Sequence, residues 1–391
     1  MNEYLQRRSL EITPDLLLKE NRLAIKNITG WQEAKERKQG ELTLVVLCSD
    51  ARLNSVLLFG NKLVASVSSI AANGESEPFK YLLNHGAIGQ VVVVGHYNGE
   101  QVRVGESVLG CGGLVGKDQI IKGKKTVAEG DDLGEYLNKI EAPDAITQTV
   151  EIVNKIARLT DQPIFGAAVD HITYKALPVA QSTIDEEGIR HTIYNREAYK
   201  SANERTMPIP VIPEEKLDPQ FAILLEKNSK LSSKLKKSEE FKRNQRMQNP
   251  PAVILSTSPL PLALRYPKTF GRPNSGFVVR LPFSKKPDEF DSEGLIEGKI
   301  TITKKYLKEA VAQLRYPIEH ATDAIQGHDF FDTKVFIIET SSLELSTQIA
   351  QRLVTEQKFI RKWLQVKGGK IIASEVKSGK TTQSQYFSTE V

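Results

Sequence analysis

Two short, continuous apolar runs end in polar residues, and they limit this chain more than any other feature. Leu42 to Leu47 runs into Cys48-Ser49-Asp50-Ala51-Arg52, and Gln90-Val91-Val92-Val93-Val94 runs into Gly95-His96. Runs without polar alternation fit strands buried on both faces of a parallel sheet. A weaker strand pattern falls at Leu63–Val67, and an apolar strand is expected at Ile164–Val169. Helical patterns alternate with them: one follows Thr13, with Pro14 in its first turn and Leu17, Ala24 and Ile28 at helical spacing, and others cover Glu77–His85 and Asp144–Leu159. The expected fold is α/β, a mainly parallel sheet flanked by helices. In such sheets ligands sit beyond the carboxyl ends of the strands, where the polar residues stand here.

The second half repeats this order. Leu17-Leu18-Lys19-Glu20-Asn21 has a counterpart in Leu224-Leu225-Glu226-Lys227-Asn228, and Leu44–Leu47 in Ala252–Leu255, with offsets of 228 − 21 = 207 and 256 − 48 = 208. Val335–Ile338 then matches Val91–Val94, and the helix pattern Glu344–Glu356 matches the one before Ile164. There the offset is 335 − 91 = 244, so an insertion of 244 − 208 = 36 residues is required, with Phe283–Ile300 supplying part of it. The other reading is that any two α/β segments look alike at this level of detail. On the first reading the chain is two tandem units: residues 1–180, a linker at 181–213, and residues 214–391. In the second unit Ser256 stands for Cys48, Ser258 for Asp50, Leu260 for Arg52 and Thr340 for His96, which leaves no metal ligands.

Cys48 and His96 are both expected at one edge of the first sheet, and Cys111 lies in the Gly- and Lys-rich stretch 97–130, read as a long loop. Two thiolates and an imidazole are a normal three-ligand set for catalytic zinc, Zn2+, which keeps its fourth position for water or substrate. Asp50 could accept a hydrogen bond from that water, and Arg52 could hold the carboxylate off the metal. Plainer readings stand beside these. A cysteine on a buried strand can be just a small hydrophobe, and Asp50 with Arg52 can be an ordinary salt bridge.

Cys-x-Asp-x-Arg after a buried strand, a Val-rich strand ending Gly-His about 50 residues on, and then Cys111-Gly112-Gly113 together resemble the β-class carbonic anhydrases. The helix with Leu-Leu-x-x-Asn and the strand Ile164–Val169 extend the resemblance over about residues 14 to 180. It implies Cys48, His96 and Cys111 as zinc ligands and Asp50 with Arg52 as the dyad beside the bound water. The implied reaction is zinc-hydroxide-catalysed reversible hydration of carbon dioxide to bicarbonate. Two departures concern spacing and pocket. The family's His-x-x-Cys becomes 111 − 96 = 15 positions here, and its Arg-Asn-Ala segment is replaced by Val67–Asn73, without the arginine. Family members usually work as dimers with the site near the subunit boundary, so the second half would act as a built-in partner in a pseudo-dimer, itself free to pair as a homodimer. Alternatives are a carbonic anhydrase-like protein without catalysis, serving structure or interaction, and a related hydrolase of carbonyl sulfide or carbon disulfide.

The balance of 40% hydrophobic and 26% charged residues is that of a globular chain. A net charge of +5 over 391 residues gives a weak field, with nucleic-acid binding not implied. No apolar stretch reaches 18 residues and the start lacks a signal-peptide core, so no membrane span and a cytoplasmic location are expected. With two cysteines, a disulfide scaffold is excluded. His85 is read as resting on a helix dipole, and His171 and Tyr97 as minor proton-relay candidates. The basic run Lys227–Arg246 is read as an amphipathic helix with a solvated face, and the tail from Ser378 as frayed.

Overall fold

The computed structural model describes residues 11–48, 53–69, 82–97, 145–170, 172–194, 212–238, 241, 251–272, 275–280, 314 and 333–388. Two sheets organise them. The first contains β1 (Leu42–Cys48), β2 (Val64–Ser69), β3 (Ile88–Tyr97), β4 (Ile164–Asp170), β5 (Ala176–Ile184) and β6 (Arg190–Tyr194), in the order β2-β1-β3-β4-β5-β6. The second contains β7 (Ala252–Ser256), β8 (Phe277–Arg280), β9 (Val335–Thr340), β10 (Lys370–Lys377) and β11 (Lys380–Tyr386), in the order β11-β10-β9-β7-β8. β2, β1, β3 and β4 are mutually parallel, and β5 turns back antiparallel. β8, β7, β9 and β10 repeat that pattern, with β11 turning back. Both sheets therefore share one strand order and one sequence of senses. β6 is added only to the first, and with β5 it carries that sheet through Tyr194, into the range read as linker.

Two helices exchange places between the sheets. α1 (Pro14–Leu23) begins at Thr13, whose hydroxyl accepts from Leu16 N at 3.1 Å, with Pro14 in the first turn. Its Leu17 packs with Ala252, Ile254, Ile337 and Ile372 of the second sheet. The helical periodicity running on to Ile28 is broken at Ala24, and α2 (Ile25–Arg37) turns back to lay Ile28 and Trp31 on the first sheet. Three short or central helices follow: α3 (Ser55–Phe59), α4 (Ala145–Ile156) and α5 (Pro219–Leu235). α5 starts at Asp218 and sends Phe221 and Leu224 against Val45, Leu47, Val92 and Val94 of the first sheet, with Phe221 stacked on Phe165 at 4.8 Å. Its buried positions, Phe221, Leu224, Asn228 and Ser232, recur on one face; of the basic run Lys227–Arg246 read as one amphipathic helix, α5 includes the part to Leu235, and most of the residues beyond Ser238 lie outside the described residues.

Each exchanged helix carries an asparagine that grips the other half's terminal hairpin. Asn21 accepts from Thr381 N at 2.9 Å and donates to Gly379 O at 3.4 Å. Asn228 accepts from Ala176 N at 2.8 Å and donates to Tyr174 O at 3.0 Å and Leu58 O at 2.8 Å. The grips correspond residue for residue: 381 − 176 = 205 and 379 − 174 = 205.

Taken as copies, the two halves align through these contacts. In the first sheet Leu47, Val94 and Ala167 lie in one row under α5, and in the second Ile254, Ile337 and Ile372 lie in one row under α1. The strand offsets are then 254 − 47 = 207 and 337 − 94 = 243, which agree with 228 − 21 = 207 for the helices. The insertion stays at 243 − 207 = 36 residues, but each strand match expected from sequence moves by one. Cys48 is matched by Leu255 and His96 by Glu339, in place of Ser256 and Thr340. The physical reason is side-chain alternation, since a slip of one residue would turn each strand's α1 or α5 face to the opposite side of the sheet.

α6 (Leu262–Arg265), α7 (Leu343–Glu356) and α8 (Lys358–Lys367) follow, with Trp363 of α8 buried and its indole donating to Thr333 O at 2.9 Å. The tail expected to fray is instead β11, paired with β10 from Lys380 to Tyr386. Its hydroxyl and amide side chains gave no apolar signal, and pairing at the sheet edge supplies the order. The residues of the long loop after Tyr97 lie outside the described residues, as does most of the helix expected at 77–85.

Candidate metal centre at the carboxyl edge of the first sheet

β1 and β3 are adjacent and parallel, with Leu47 opposite Val94, so Cys48 at the end of β1 falls beside the Gly95-His96 end of β3. Neighbouring strands are roughly 5 Å apart, so the two positions reach one edge of the sheet. His96 is 7% exposed and lies in β3 opposite Val169 of β4. Asp50, Arg52, Cys111 and His171 lie outside the described residues. Among the described residues there is no group of three His, Cys, Asp or Glu side chains that could hold a metal. The sulfur and imidazole donors at these two positions fit zinc, whose usual ligands they are, and the third ligand, a second sulfur, would have to come from Cys111.

Beside this edge the two halves enclose an open cleft of about 420 Å³, solvent mouth included. Leu47, Asn54 and Ser66 line it from the first half, and Leu262, Phe270 and Arg272 from the second. Asn54 caps α3, accepting from Val56 N at 3.1 Å and Leu57 N at 3.2 Å. Its Nδ2 donates across the cleft wall to Phe270 O at 3.2 Å, and its backbone N donates to the Tyr174 hydroxyl at 2.6 Å. The halves are further joined by Ser66 N donating to Pro259 O at 2.9 Å, and by Glu20, which accepts from Lys268 N, Thr269 N and the Thr269 hydroxyl.

The corresponding edge of the second sheet holds an ion pair. Ser256, Glu339 and Ser374 form the row that matches the His96 row. Arg265 donates to Glu339 through both terminal nitrogens, at 3.0 and 2.6 Å, and the two side chains are 0% and 1% exposed. Tyr266 donates its hydroxyl hydrogen to Glu339 Oε1 at 2.7 Å, so the Thr381 hydroxyl, 2.6 Å away, donates to the tyrosine oxygen. Burial alone would raise the Glu339 carboxyl. The Arg265 guanidinium, with the Tyr266 and Ser256 hydroxyls, outweighs it and holds the group below the ordinary carboxylate range. Burial and the neighbouring carboxylate push the Tyr266 hydroxyl far up, so it stays a neutral donor. Among the described residues the carboxylate is thus answered by a bidentate guanidinium and a tyrosine hydroxyl, which commits it to an internal pair.

Arg265 and Glu339 were not singled out from the sequence. A charge closing each of two apolar stretches, Leu260–Leu264 and Val335–Ile338, was the available signal. His85 also takes a different part from the one expected: its Nδ1 accepts from Ala87 N at 3.1 Å, and burial together with Lys35 and Lys38 lowers its pKa, the opposite of a helix-dipole effect. Among the described residues no helix is long and apolar enough to cross a membrane.

No family model matches this chain, and no curated protein does. Solved structures with partial similarity are β-carbonic anhydrases. One from Sordaria macrospora, described as tetrameric, is 14% identical over 36% of this chain and 81% of its own, with a TM-score of 0.22. The β-carbonic anhydrase CafA of Aspergillus fumigatus is 14% identical over 44% and 85%, TM-score 0.21, and the β-carbonic anhydrase CcaA is 12% identical over 42% and 82%, TM-score 0.23. The described chain is a mixed α/β structure of two mostly parallel sheets flanked by helices, and similarity at these scores says nothing of activity.

Proposed function

We propose that the first half hydrates carbon dioxide reversibly to bicarbonate at a zinc centre held by Cys48, His96 and Cys111, and that the second half is a degenerate copy serving as its fixed partner. The observation that carries this reading is the pairing of β1 with β3, which puts the end of Cys-x-Asp-x-Arg's strand beside Gly95-His96 at one carboxyl edge. Zinc, when bound, supplies water activation at neutral pH, lowering the pKa of a coordinated water to roughly 7. Asp50 would accept the hydrogen bond that orients the reacting oxygen, and Arg52 would keep that carboxylate off the metal. The cleft beside this edge has a mixed wall, with Leu47, Leu262 and Phe270 beside Asn54, Ser66 and Arg272, and a small substrate would approach through it.

The duplicated strand order and the two asparagine grips support an internal pseudo-dimer; the Arg265–Glu339 pair supports a second half without metal. A reducing, cytoplasmic setting would keep the two thiolates available. Further pairing of whole chains into a homodimer belongs to the same proposal.

Zinc analysis and stopped-flow carbon dioxide hydration test it. About one zinc per chain is expected, with both metal and activity lost in Cys48→Ser, His96→Ala and Cys111→Ser. Zinc-loaded protein that hydrates neither carbon dioxide nor carbonyl sulfide overturns the enzymatic reading. Protein purified without zinc, and unable to take it up, favours a role in structure or interaction.

A further inference from the structure

Asn54 makes more bonds than a helix cap needs. An N-cap requires one side-chain acceptor, which serine, threonine or aspartate would provide equally well. Asn54 uses its oxygen for that purpose and its Nδ2 for Phe270 O of the second half, while its backbone N–H meets the Tyr174 hydroxyl. At the matching place in the second half, 54 + 207 = 261, stands Pro261, which has no N–H and makes no side-chain cap bond to α6. Tyr174 points the same way. It holds a left-handed backbone with φ 63°, where the other half places Gly379 with φ 70°. A tyrosine there is strained in a way glycine is not. What it adds is a hydroxyl 2.6 Å from Asn54 N. The doubled clamp is thus built only in the half that carries Cys48 and His96.

Only residues 49–52 separate the last residue of β1 from Leu53, and they include Asp50 and Arg52. We infer that Asn54 is a positioning residue: by bonding Tyr174 and the second half's Phe270 carbonyl it fixes the far end of the segment bearing Asp50 and Arg52, so that the second half takes part in the first half's chemistry. This rests on the proposed function for what is positioned, though not for the clamp itself.

Asn54→Ser separates the two duties, because serine caps helices well but is too short to reach Phe270 O. Hydrogen exchange over 49–57 is measured first, on wild type and variant without added metal. Exchange faster by about 10-fold is expected from loss of one buried bond. With zinc, the variant should retain wild-type metal content and KM but lose roughly 10-fold in kcat. The midpoint of its pH–rate profile should also move. Asn54→Asp, which keeps the acceptor and loses the donor, should behave as the serine variant does. Unchanged exchange in both variants overturns the inference. If wild type neither holds zinc nor hydrates carbon dioxide, the functional reading fails and the exchange result alone decides whether the clamp exists.

Discussion

Row for row, His96 in the first sheet and Glu339 in the second occupy the same place, and their surroundings differ in kind. His96 stands near the end of β3, beside the last residue of β1, and is buried, while Leu47 of the same edge lines the cleft between the halves. Glu339 is buried against Arg265, Tyr266 and Ser256. One scaffold therefore supports two solutions for the polar end of a buried strand. At Glu339 the polar end is answered by an internal cation, an arrangement that suits rigidity. Arg265 sits on the same short helix whose start lines the cleft, so the closed edge also stiffens the wall of the open one.

Breaking the closed edge should have the largest effect. Glu339→Gln or Arg265→Met leaves a charge buried without its partner, an expected loss of roughly 3–5 kcal/mol. The double variant Arg265→Met/Glu339→Leu should recover much of that loss. Denaturant unfolding reads both, and equal stability of the single and double variants would contradict a coupled pair. Zinc content should be unchanged in the double variant, which separates the two edges directly.

The exchanged helices come next. Asn228→Ala strips partners from Ala176 N, Leu58 O and Tyr174 O, and Asn21→Ala from Thr381 N and Gly379 O. Each should cost about 1–3 kcal/mol for every buried group left unanswered. Hydrogen exchange should place the loosening in the hairpin of the half opposite to the mutated helix, β4–β5 for Asn228 and β10–β11 for Asn21. Loosening confined to the mutated helix's own half would undo the exchange.

Acid should act on the halves in different pH ranges. Glu339 has a folded pKa below its unfolded value, so its contribution is present above the unfolded carboxylate range, about pH 4.5. That contribution is lost as pH falls through the lower folded value, and Glu339→Gln should flatten this part of a stability–pH curve. His85 in the first half also has a lowered folded pKa, so the unfolded chain takes up its proton first. Stability should therefore fall as pH drops below about 6.5, and His85→Gln should remove that slope. The smallest effect belongs to the exposed pair Glu226–Lys230 on α5, where Glu226→Ala should leave the melting temperature unchanged.

Much of this architecture could be read from residues alone. Val91–Val94 and Val335–Ile338 marked the central strands, Thr13-Pro14 marked the start of α1, and Leu-Leu-x-x-Asn marked the two helices that turned out to grip the opposite hairpins. The tail beyond Ser378 was misjudged because its strand is polar, and its order comes from β10. The strand-end positions of Cys48 and His96 were legible because each follows an apolar run; the bonds of Asn54, Arg265 and Glu339 were not, because each reaches partners far along the chain.

The sequence by itself determined the strands, their alternation with helices, the 36-residue insertion and the polar residues at the sheet edges. Only the tertiary structure decided the pairing of His96 with Glu339, for a definite physical reason. A strand buried on both faces has no polar alternation, so Ala252–Leu255 reads the same at either offset. Which face met α1 or α5 became visible once the helices had crossed to the opposite halves.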